Sequence, residues 1–265
     1  MRTVHGRLLS YLRELPIEYL SSTACKPGDS PRKNVERHKE SRFFNIIDLR
    51  QAYRYVNAAK LAECMTWADP ALEERQAEMR VFLRQYCMSR FGGIPAGAPA
   101  SQDLFNLCCK FLLDDPLEKL CKAYELTYSR YVDDLTFSST SSITKGIRIQ
   151  IREIIVQAGF QVNDLKAHVW DLQKGPIVIN GIGLELGGRI FVPRHYTNYV
   201  HGLLLQGLGG NLWLRSKIAG AMGVFRGLTD RQNPNKTEQQ ILRMHQQFLR
   251  LANGQRQKRK KAPAR

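Results

Sequence analysis

Two adjacent aspartates, Asp133 and Asp134, lie within the run YSRYVDDLTF at residues 128–137. The alternating, β-rich residues on both sides of the pair predict the two arms of a tight hairpin, with both carboxylates at its turn. Neighbouring carboxylates repel each other unless a cation lies on them, and hard divalent ions such as Mg²⁺ take carboxylate oxygens as ligands. The pair is therefore a candidate metal site. An ordinary turn, in which aspartate is a favoured residue, is the alternative interpretation.

A third aspartate ends another strand-like segment. Residues 43–48 read FFNIID, which predicts a short apolar strand that ends in Asp48. Phosphoryl transfer with two metal ions uses carboxylates that bridge ions about 4 Å apart. If the two strands are neighbours in one sheet, Asp48 converges with Asp133 and Asp134. The sequence alone leaves that pairing open.

The charge of the chain favours a polyanionic partner. The 265 residues include 40 Lys and Arg against 24 Asp and Glu, a formal net charge of +16. Nucleic acid is the usual partner of so basic a protein, and a merely soluble basic surface would not need this imbalance. The hydrophobic fraction of 43% suffices for one large core or two small ones.

The chain shows no membrane or export signal. No apolar run approaches the ~20 residues of a membrane span, and no apolar signal-peptide stretch follows the N-terminus. The six cysteines form no CxxC pair, which indicates reduced thiols within the core. We therefore expect a cytoplasmic protein without a membrane partner.

Helical and strand-like patterns alternate along the chain. Helical spacing covers about 49–64, 70–88, 104–112 and 147–158, and weaker strand patterns surround residues 162, 177–184 and 189–192. The last part is helical up to Asn253-Gly254, a typical helix end. The basic residues of 255–265 predict a disordered arm that contacts phosphate, with a solvated tail as the alternative. These patterns together predict an α+β fold.

Several segments resemble the motifs of reverse transcriptases in their usual order. The hairpin resembles the catalytic Tyr-x-Asp-Asp box, and Asp48 followed by Tyr53 resembles the first acidic motif. Residues 94–101, IPAGAPAS, are similar to the template-and-nucleotide loop of that family. Residues 159–163, GFQVN, with Lys166 beyond them, resemble the next motif.

Within the reverse transcriptases, the more specific resemblance is to the bacterial retron-type enzymes. Residues 130–138, RYVDDLTFS, are close to the usual retron form of the catalytic box, and NVERH at 34–38 resembles their Asn-Ala-x-x-His stretch. Ile179-Asn180-Gly181 resembles the primer-grip turn and stands where retron enzymes usually carry Val-Thr-Gly. The resemblance extends from about Lys26 to Leu251.

The resemblance implies roles for individual side chains at the reaction centre. Asp48, Asp133 and Asp134 would be the catalytic carboxylates that hold two Mg²⁺ ions, with Asp134 the least certain to be a direct ligand. Tyr53 would lie under the incoming sugar and exclude a 2′-hydroxyl, which selects deoxynucleotides; a core aromatic is the alternative. Lys166 would give a proton to the leaving pyrophosphate, although a surface lysine is the alternative.

Other residues would bind the nucleotide and the nucleic acid. Gly97 would let the backbone approach the base pair closely, unless it is a plain loop glycine. Ile179, Asn180 and Gly181 would form the primer grip. The candidate nucleic-acid-binding residues precede the first acidic motif, and Arg42 is a further candidate for the triphosphate. They are Lys26, Arg32, Lys33, Arg37 and His38, of which His38 either contacts nucleic acid or fixes a loop.

Three features depart from the family pattern or compete with the candidate site. Ala96 stands where the family usually has Gln, and the pair Ser101-Gln102 resembles the error-prone enzymes of diversity-generating elements. Asp114-Asp115-Pro116 is a second acidic pair, which we interpret as a helix start.

The resemblance implies a right-hand polymerase: an antiparallel palm sheet backed by helices, truncated fingers and a small helical thumb. Residues 1–195 would form the fingers and palm, 196–254 the thumb and 255–265 the tail. The implied function is primer extension with deoxynucleoside triphosphates on an RNA template, giving a DNA product.

A retron-type enzyme would copy a structured non-coding RNA and act in phage defence. The alternatives are an error-prone enzyme of a diversity-generating element with an accessory protein, a template-independent defence polymerase, and a non-catalytic RNA-binding relic.

Overall fold

The chain divides into two compact units, Met1–Gly175 and Pro176–Arg265. The computed structural model describes residues 2–24, 26, 28–229 and 234–261, with side chains from residue 3 to residue 254. The division falls after Gly175, whereas the sequence predicted a boundary after residue 195. The physical reason is strand pairing, since the strands after Gly175 pair among themselves and not with the sheet of the first unit. The assignment of fingers, palm and thumb to residue ranges stays a prediction.

A four-stranded antiparallel sheet organises the first unit. Its strands are β1 (Phe43–Asp48), β2 (Thr127–Tyr131), β3 (Asp134–Ser139) and β4 (His168–Asp171), in the order β2-β3-β1-β4. The strand predicted to end in Asp48 and the predicted hairpin are both confirmed. β1 pairs with β3, with Phe43 opposite Ser139 and Asp48 opposite Asp134.

Helices cover the sheet of the first unit. They are α1 (Arg2–Glu14), α2 (Pro31–Glu36), α3 (Ala58–Ala68), α4 (Gln76–Tyr86), α5 (Ser101–Cys109), α6 (Asp115–Ala123) and α7 (Lys145–Gln157). Short 3₁₀ segments lie at Ala52–Tyr55, Pro70–Arg75 and Leu172–Lys174. In one core cluster, Leu61 of α3, Leu104 of α5 and Ile151 of α7 are completely buried with Phe137 of β3. Burying such side chains contributes roughly 1.5–3 kcal/mol each, which makes this cluster the main source of stability of the unit.

A π-helical turn, Lys110–Asp114, joins α5 to α6. The predicted helix start at Asp115 is confirmed, with Pro116 in the first turn of α6. Asp114, the last residue of the π-helical turn, is 1% exposed. A buried carboxylate needs a partner, because desolvation of an isolated charge is costly.

Arg130 of β2 is that partner. Its Nε and Nη2 donate to the Asp114 carboxylate at 2.9 and 2.8 Å, and its Nη1 donates to Oδ1 of Asn106 at 3.1 Å and to the carbonyl of Val132 at 3.0 Å. The Tyr128 hydroxyl donates to Asp114 as well, at 2.8 Å. Burial alone would lower the pKa of the Arg130 guanidinium, but the Asp114 carboxylate raises that pKa well above its usual value.

The second unit combines a small sheet with a helical bundle. Its elements are β5 (Ile177–Ile179), β6 (Ile182–Leu184), β7 (Ile190–Phe191), α8 (Arg194–Leu208), a 3₁₀ turn (Leu212–Leu214), α9 (Arg215–Leu228) and α10 (Lys236–Lys261). A Cβ atom on Gly207 of α8 would lie 2.7 Å from Cδ1 of Ile218 and 2.8 Å from the Phe248 ring. The absence of a side chain there lets α8 approach α9 and α10 closely.

The final helix continues beyond its predicted end. The sequence predicted that Asn253-Gly254 ends the helix and that residues 255–265 form a disordered tail, but α10 runs to Lys261. A glycine ends a helix by adopting positive φ, and Gly254 is not among the described glycines with positive φ. Residues 262–265 lie outside the described residues.

The described cysteines are buried and unpaired, as the sequence predicted. They are Cys64, Cys87, Cys108, Cys109 and Cys121, and Cys25 lies outside the described residues. Among the described helices, none has the length and apolar character needed to cross a bilayer. The predicted α+β class is confirmed.

The buried ion pair gives a stability prediction. Asp114→Ala should lower the free energy of unfolding in urea by about 3–5 kcal/mol, because it leaves the Arg130 charge buried without a counter-ion. Asp115→Ala is the matched control, since Asp115 pairs with Lys110 at 2.6 Å and is 35% exposed. The control should lose about 1 kcal/mol or less. Equal losses for the two variants would show that the Arg130–Asp114 pair has no special role.

Candidate active site

The pairing of β1 with β3 brings the three predicted aspartates together. Asp48 and Asp134 are direct partners in the strand register, and Asp133 lies in the two-residue loop that joins β2 to β3. The amide of Leu49 donates to the carbonyl of Asp133 at 3.0 Å, which ties the end of β1 to this loop. Asp48 and Asp134 therefore lie on neighbouring strands of one sheet, with Asp133 in the adjoining loop, the arrangement that the sequence left open.

The loop that carries Asp133 is strained. Val132, its first residue, has φ 59°, which is rare for a β-branched side chain. Such a conformation costs roughly 1–3 kcal/mol and persists only when neighbouring groups hold it. The guanidinium of Arg130 does so by donating to the Val132 carbonyl at 3.0 Å. The buried ion pair thus sets the position of the turn.

A lysine and an asparagine hold the carboxylate of Asp48. Lys166 Nζ donates to Oδ1 at 2.7 Å and Asn163 Nδ2 donates to Oδ2 at 2.9 Å. Their segment reaches Asp48 through a β-bridge between Leu49 and Val162 and through the Asn163 amide, which donates to the Asp48 carbonyl at 2.8 Å. Asp48 is 9% exposed, so these bonds satisfy a carboxylate that water scarcely reaches.

The electrostatics show that the charges of this site act on one another. The pKa of the Lys166 ammonium is raised, first by its hydrogen bond to Asp48 and then by the charges of Asp48, Asp134 and Asp133. Burial raises the pKa of the Asp133 carboxyl, and the negative charge of Asp48 adds to that rise. One ammonium therefore faces three carboxylates, which leaves the site with an excess of negative charge.

The donor chemistry of the site fits divalent ions. In the described part of the chain, no three His, Cys, Asp or Glu side chains are arranged as a ready metal cage. Instead the Lys166 ammonium contacts the Asp48 carboxylate at 2.7 Å, in the position that a metal ion would take. The side chain of Lys166 is 65% exposed. Carboxylate oxygens are the ligands that Mg²⁺ prefers, and an exposed lysine can leave Asp48 when an ion binds. Asp48, Asp133 and Asp134 would hold such an ion.

A cavity of about 340 Å³ opens beside the aspartates. Tyr53, Ala96, Phe91 and Asp133 are among the residues that line it. Next to the cavity-lining Gly92, the chain packs closely against Arg54: a Cβ on Gly93 would lie 2.4 Å from Cα of Arg54, so only glycine fits there. The structure thus joins the predicted sugar-contacting tyrosine and a predicted metal carboxylate in one pocket.

Contacts on both sides hold Tyr53 in place. Its ring stacks on Phe105, with centroids 4.6 Å apart and planes inclined by 9°, and its hydroxyl donates to Oε1 of Gln102. Tyr53 is half-buried and lines the cavity, whereas a core aromatic would be enclosed; its contact with the sugar stays a prediction. Gly97, with φ 84°, follows the cavity-lining Ala96 in the loop before α5.

The predicted basic residues surround α2, and ion pairs or hydrogen bonds engage most of them. Arg32 pairs with Glu36 at 2.8 Å, and Lys33 lies 3.6 Å from Asp29. Arg37 donates to the carbonyl of Leu20 at 2.6 Å, and the Lys26 ammonium lies 4.3 Å above the Tyr19 ring. Arg42 is bound by Asp171 through two bonds of 2.8 Å. Their contact with nucleic acid stays a prediction.

His38 differs from the other predicted nucleic-acid-binding residues in that it does not reach the surface. It is completely buried, with Nδ1 2.7 Å from Oγ of Ser138 and Nε2 2.6 Å from Oγ of Ser129. The imidazole thereby links the segment after α2 to β2 and β3. Burial lowers the pKa of His38 to about 3, with the charge of Arg37 as a smaller cause. Its burial and these two hydrogen bonds favour the alternative prediction, that His38 fixes a loop.

The predicted primer-grip residues lie in the second unit. Asn180 and Gly181 have φ 49° and 80° and form the two-residue turn between β5 and β6. Asn-Gly is the preferred sequence of such a type I′ turn, which accounts for the departure from the retron Val-Thr-Gly triplet. Ile179 is 2% exposed and anchors the turn in the core of its unit, so only Asn180 and Gly181 are available to a primer.

Sequence reasoning missed three contributors to the site. Asn163 was part of a recognised segment, but no role was assigned to its amide, which holds Asp48. Arg130 was read as a hairpin residue, although a charged residue between apolar strand positions signals a buried partner. Gln102 was noted only as a departure from the family pattern, and it accepts the hydrogen bond of Tyr53.

Comparison with known proteins gives a consistent result. The family model described as reverse transcriptase (RNA-dependent DNA polymerase) matches residues 4–182. The retron Ec83 reverse transcriptase of Escherichia coli is 22% identical over 229 residues, which cover 80% of this chain and 70% of the relative. The retron Mx162 reverse transcriptase of Myxococcus xanthus is 37% identical over 109 residues, which cover 35% and 22%.

Solved structures with a similar fold include telomerases of Candida tropicalis. The apo enzyme truncated from its C-terminal domain has a TM-score of 0.52 at 15% identity, covering 72% of this chain and 44% of that one. The enzyme in complex with a fragment of telomeric RNA has a TM-score of 0.51 at 13% identity, covering 84% and 45%. The chain therefore spans less than half of those telomerase chains. The likeness concerns the fold alone, and it confirms the predicted polymerase palm.

The burial of His38 predicts a pH dependence of stability. The unfolded histidine, with a pKa near 6.5, takes up a proton before the folded one does. Stability is therefore fully present above about pH 6.5 and is lost as the pH falls towards 3, by roughly 1.4 kcal/mol per pH unit. The free energy of unfolding of His38→Gln should change less steeply than that of the wild type between pH 6.5 and 4.5. His195→Gln, at an exposed position, is the control and should keep the wild-type slope; a wild-type slope in His38→Gln would contradict the prediction.

Proposed function

The chain belongs to the reverse transcriptase family, and from this premise we propose that it is a retron-type RNA-directed DNA polymerase. The observation that supports this most directly is the pairing of Asp48 with Asp134 across β1 and β3, beside a cavity lined by Asp133 and Tyr53. Carboxylates at the adjoining ends of two paired strands, next to a cavity that could hold a nucleotide, suit phosphoryl transfer. A relic without catalytic function would not need all three aspartates.

The proposed reaction extends a primer by one deoxynucleotide at a time. The primer 3′-hydroxyl gives up its proton to water, its oxygen forms a bond to the α-phosphorus of the triphosphate, and the bond from that phosphorus to the bridging oxygen of pyrophosphate breaks. Asp48, Asp133 and Asp134 would hold two Mg²⁺ ions, which would lower the pKa of the attacking hydroxyl and offset the charge on the phosphoryl oxygens.

Lys166 has two roles in this proposal. Without substrate its ammonium donates to the nearly buried carboxylate of Asp48 at 2.7 Å. Its raised pKa means that the ammonium is protonated at neutral pH, so Nζ holds a proton for the departing pyrophosphate. The exposure of its side chain, 65%, allows the ammonium to move between these positions.

Tyr53 selects the sugar in this proposal. Its ring is held between the Phe105 ring and the hydrogen bond to Gln102, and one side faces the cavity with Asp133. A fixed ring beneath the sugar excludes a 2′-hydroxyl by contact, because packed aromatic groups yield little. The chain would therefore use deoxynucleoside triphosphates.

The substrate RNA and the biological role extend the proposal. The formal net charge of +16 supports a large polyanionic partner. The likeness to retron reverse transcriptases suggests a structured non-coding RNA that serves as template and primer, with a role in phage defence. An accessory protein remains part of the proposal for the error-prone alternative only.

The central test is nucleotide incorporation on an RNA template. Asp48→Asn, Asp133→Asn and Asp134→Asn should each reduce the rate of primer extension with Mg²⁺ by about 100-fold or more, because each removes a charged ligand from the reaction centre. Asp164→Asn is the control, since Asp164 is 75% exposed and pairs with Arg152. Extension that persists in the Asp48 variant, or that proceeds equally without RNA, would refute the proposal.

A second candidate function rests on Ala96. This residue lines the same cavity as Tyr53 and Asp133, at the position where the family usually carries Gln. A methyl group there makes no hydrogen bond with the nascent base pair, so base selection would be weaker. That property suits the error-prone reverse transcriptase of a diversity-generating element.

The two candidates predict different products. If Ala96 loosens base selection, sequencing of the DNA product should show errors concentrated at template adenines, and Ala96→Gln should lower their frequency by about 10-fold, the effect of one hydrogen bond to the base pair. Ala98→Gln, in the same loop but outside the cavity, is the control. If errors are rare in the wild type and Ala96→Gln does not change their frequency, the error-prone candidate is contradicted and the retron-type function is the one that remains.

A further inference from the structure

A second cavity, of about 360 Å³ and with three basic residues in its lining, lies in the first unit. It is bounded by β1, by the edge strand β4 and by the start of α7, and the described residues that line it include no Asp or Glu. Lys145, Arg148 and Arg152 supply its positive charge, and Asn45 lies at its β1 wall. None of these residues belongs to the candidate active site.

Two buried donors of residues that line this cavity have no acceptor within the described part of the chain. They are Nδ2 of Asn45 and Nε of Arg148. Asn45 is 5% exposed and lines the cavity, so its unsatisfied amide belongs to a nearly buried side chain in the cavity wall. Buried donors without acceptors cost roughly 1–3 kcal/mol each, and more where the donor is charged. A site that retains two such donors favours an anion.

The start of α7 strengthens this preference. The 13-residue helix has no acidic residue in its first turn, and Lys145 and Arg148 occupy its N-terminal positions. A helix N-terminus carries a partial positive charge, so cations there are unfavourable unless an anion lies between them. Arg152, by contrast, is already bound to Asp164 at 2.7 Å.

We propose that this cavity is a phosphate-binding site. The guanidinium of Arg148, the ammonium of Lys145 and the amide of Asn45 would donate to the phosphate oxygens, and the dipole of α7 would add to the attraction. The ligand is a phosphate group, carried either by a free nucleotide or by an RNA backbone. The inference goes beyond the proposed polymerase function and does not require it.

The experiment compares Arg148→Gln with Arg75→Gln, which removes an equal charge from an exposed residue paired with Glu78. Adenosine monophosphate and an unstructured 12-nucleotide RNA are the probes, and thermal unfolding and fluorescence anisotropy are the readouts. Arg148→Gln should weaken binding of one probe by about 10-fold or more, the effect of one charge-assisted hydrogen bond. Arg75→Gln should stay within about twofold.

The two sources of phosphate give different results. If the ligand is RNA, the dependence of log affinity on log salt concentration should become shallower by about 0.7 for Arg148→Gln. If the ligand is a free nucleotide, adenosine monophosphate should raise the melting temperature of the wild type but not of the variant. The proposal is wrong if Arg148→Gln and Arg75→Gln bind both probes alike.

A folding control keeps the result interpretable. Without phosphate in the buffer, Arg148→Gln should melt no lower than the wild type, because it removes a buried donor that lacks an acceptor. Arg148→Lys retains the charge without the planar fork, so its affinity should be intermediate. Neither readout uses nucleotide incorporation, so a chain that failed as a polymerase would still test this site.

Discussion

The buried ion pair between Arg130 and Asp114 is the interaction on which the candidate site depends. Arg130 is completely buried, so its charge is tolerated only because acceptors surround it. Its hydrogen bonds are accepted by the Asp114 carboxylate, the Asn106 side chain and the Val132 carbonyl. One of these acceptors belongs to the strained turn that carries Asp133. The same guanidinium therefore joins the π-helical turn before α6 to the geometry of the carboxylates.

Some basic side chains of the chain are engaged by groups of the protein itself, and others lie where a ligand could bind them. Around α2, acidic side chains or backbone carbonyls already engage Arg32, Lys33 and Arg37. Lys166 is bound to Asp48, where it balances part of the negative charge of the site. At the start of α7, Lys145 and Arg148 lie beside a cavity without a carboxylate among its described residues. Net charge alone thus indicates the class of partner but not the surface that binds it.

Local patterns predicted local structure well, and errors arose where distant contacts decide. The strand ending at Asp48, the hairpin around Asp133 and the helix start at Asp115 follow from neighbouring residues and were correct. The burial of His38 could not be foreseen, because its partners Ser129 and Ser138 lie more than 90 residues away. The boundary after Gly175 depends on which strands pair with each other, and no local signal specifies that.

The sequence by itself determined the reactive groups and the turns that expose them, because the strand alternation and the turn chemistry of a short segment suffice for both. Only the tertiary structure decided that Asp48 lies opposite Asp134 and that Lys166, 118 residues further along the chain, neutralises Asp48. It likewise directed Tyr53 and Asp133 into one cavity. The physical reason is that strand register and helix packing follow from burial of the whole core, which no single motif contains.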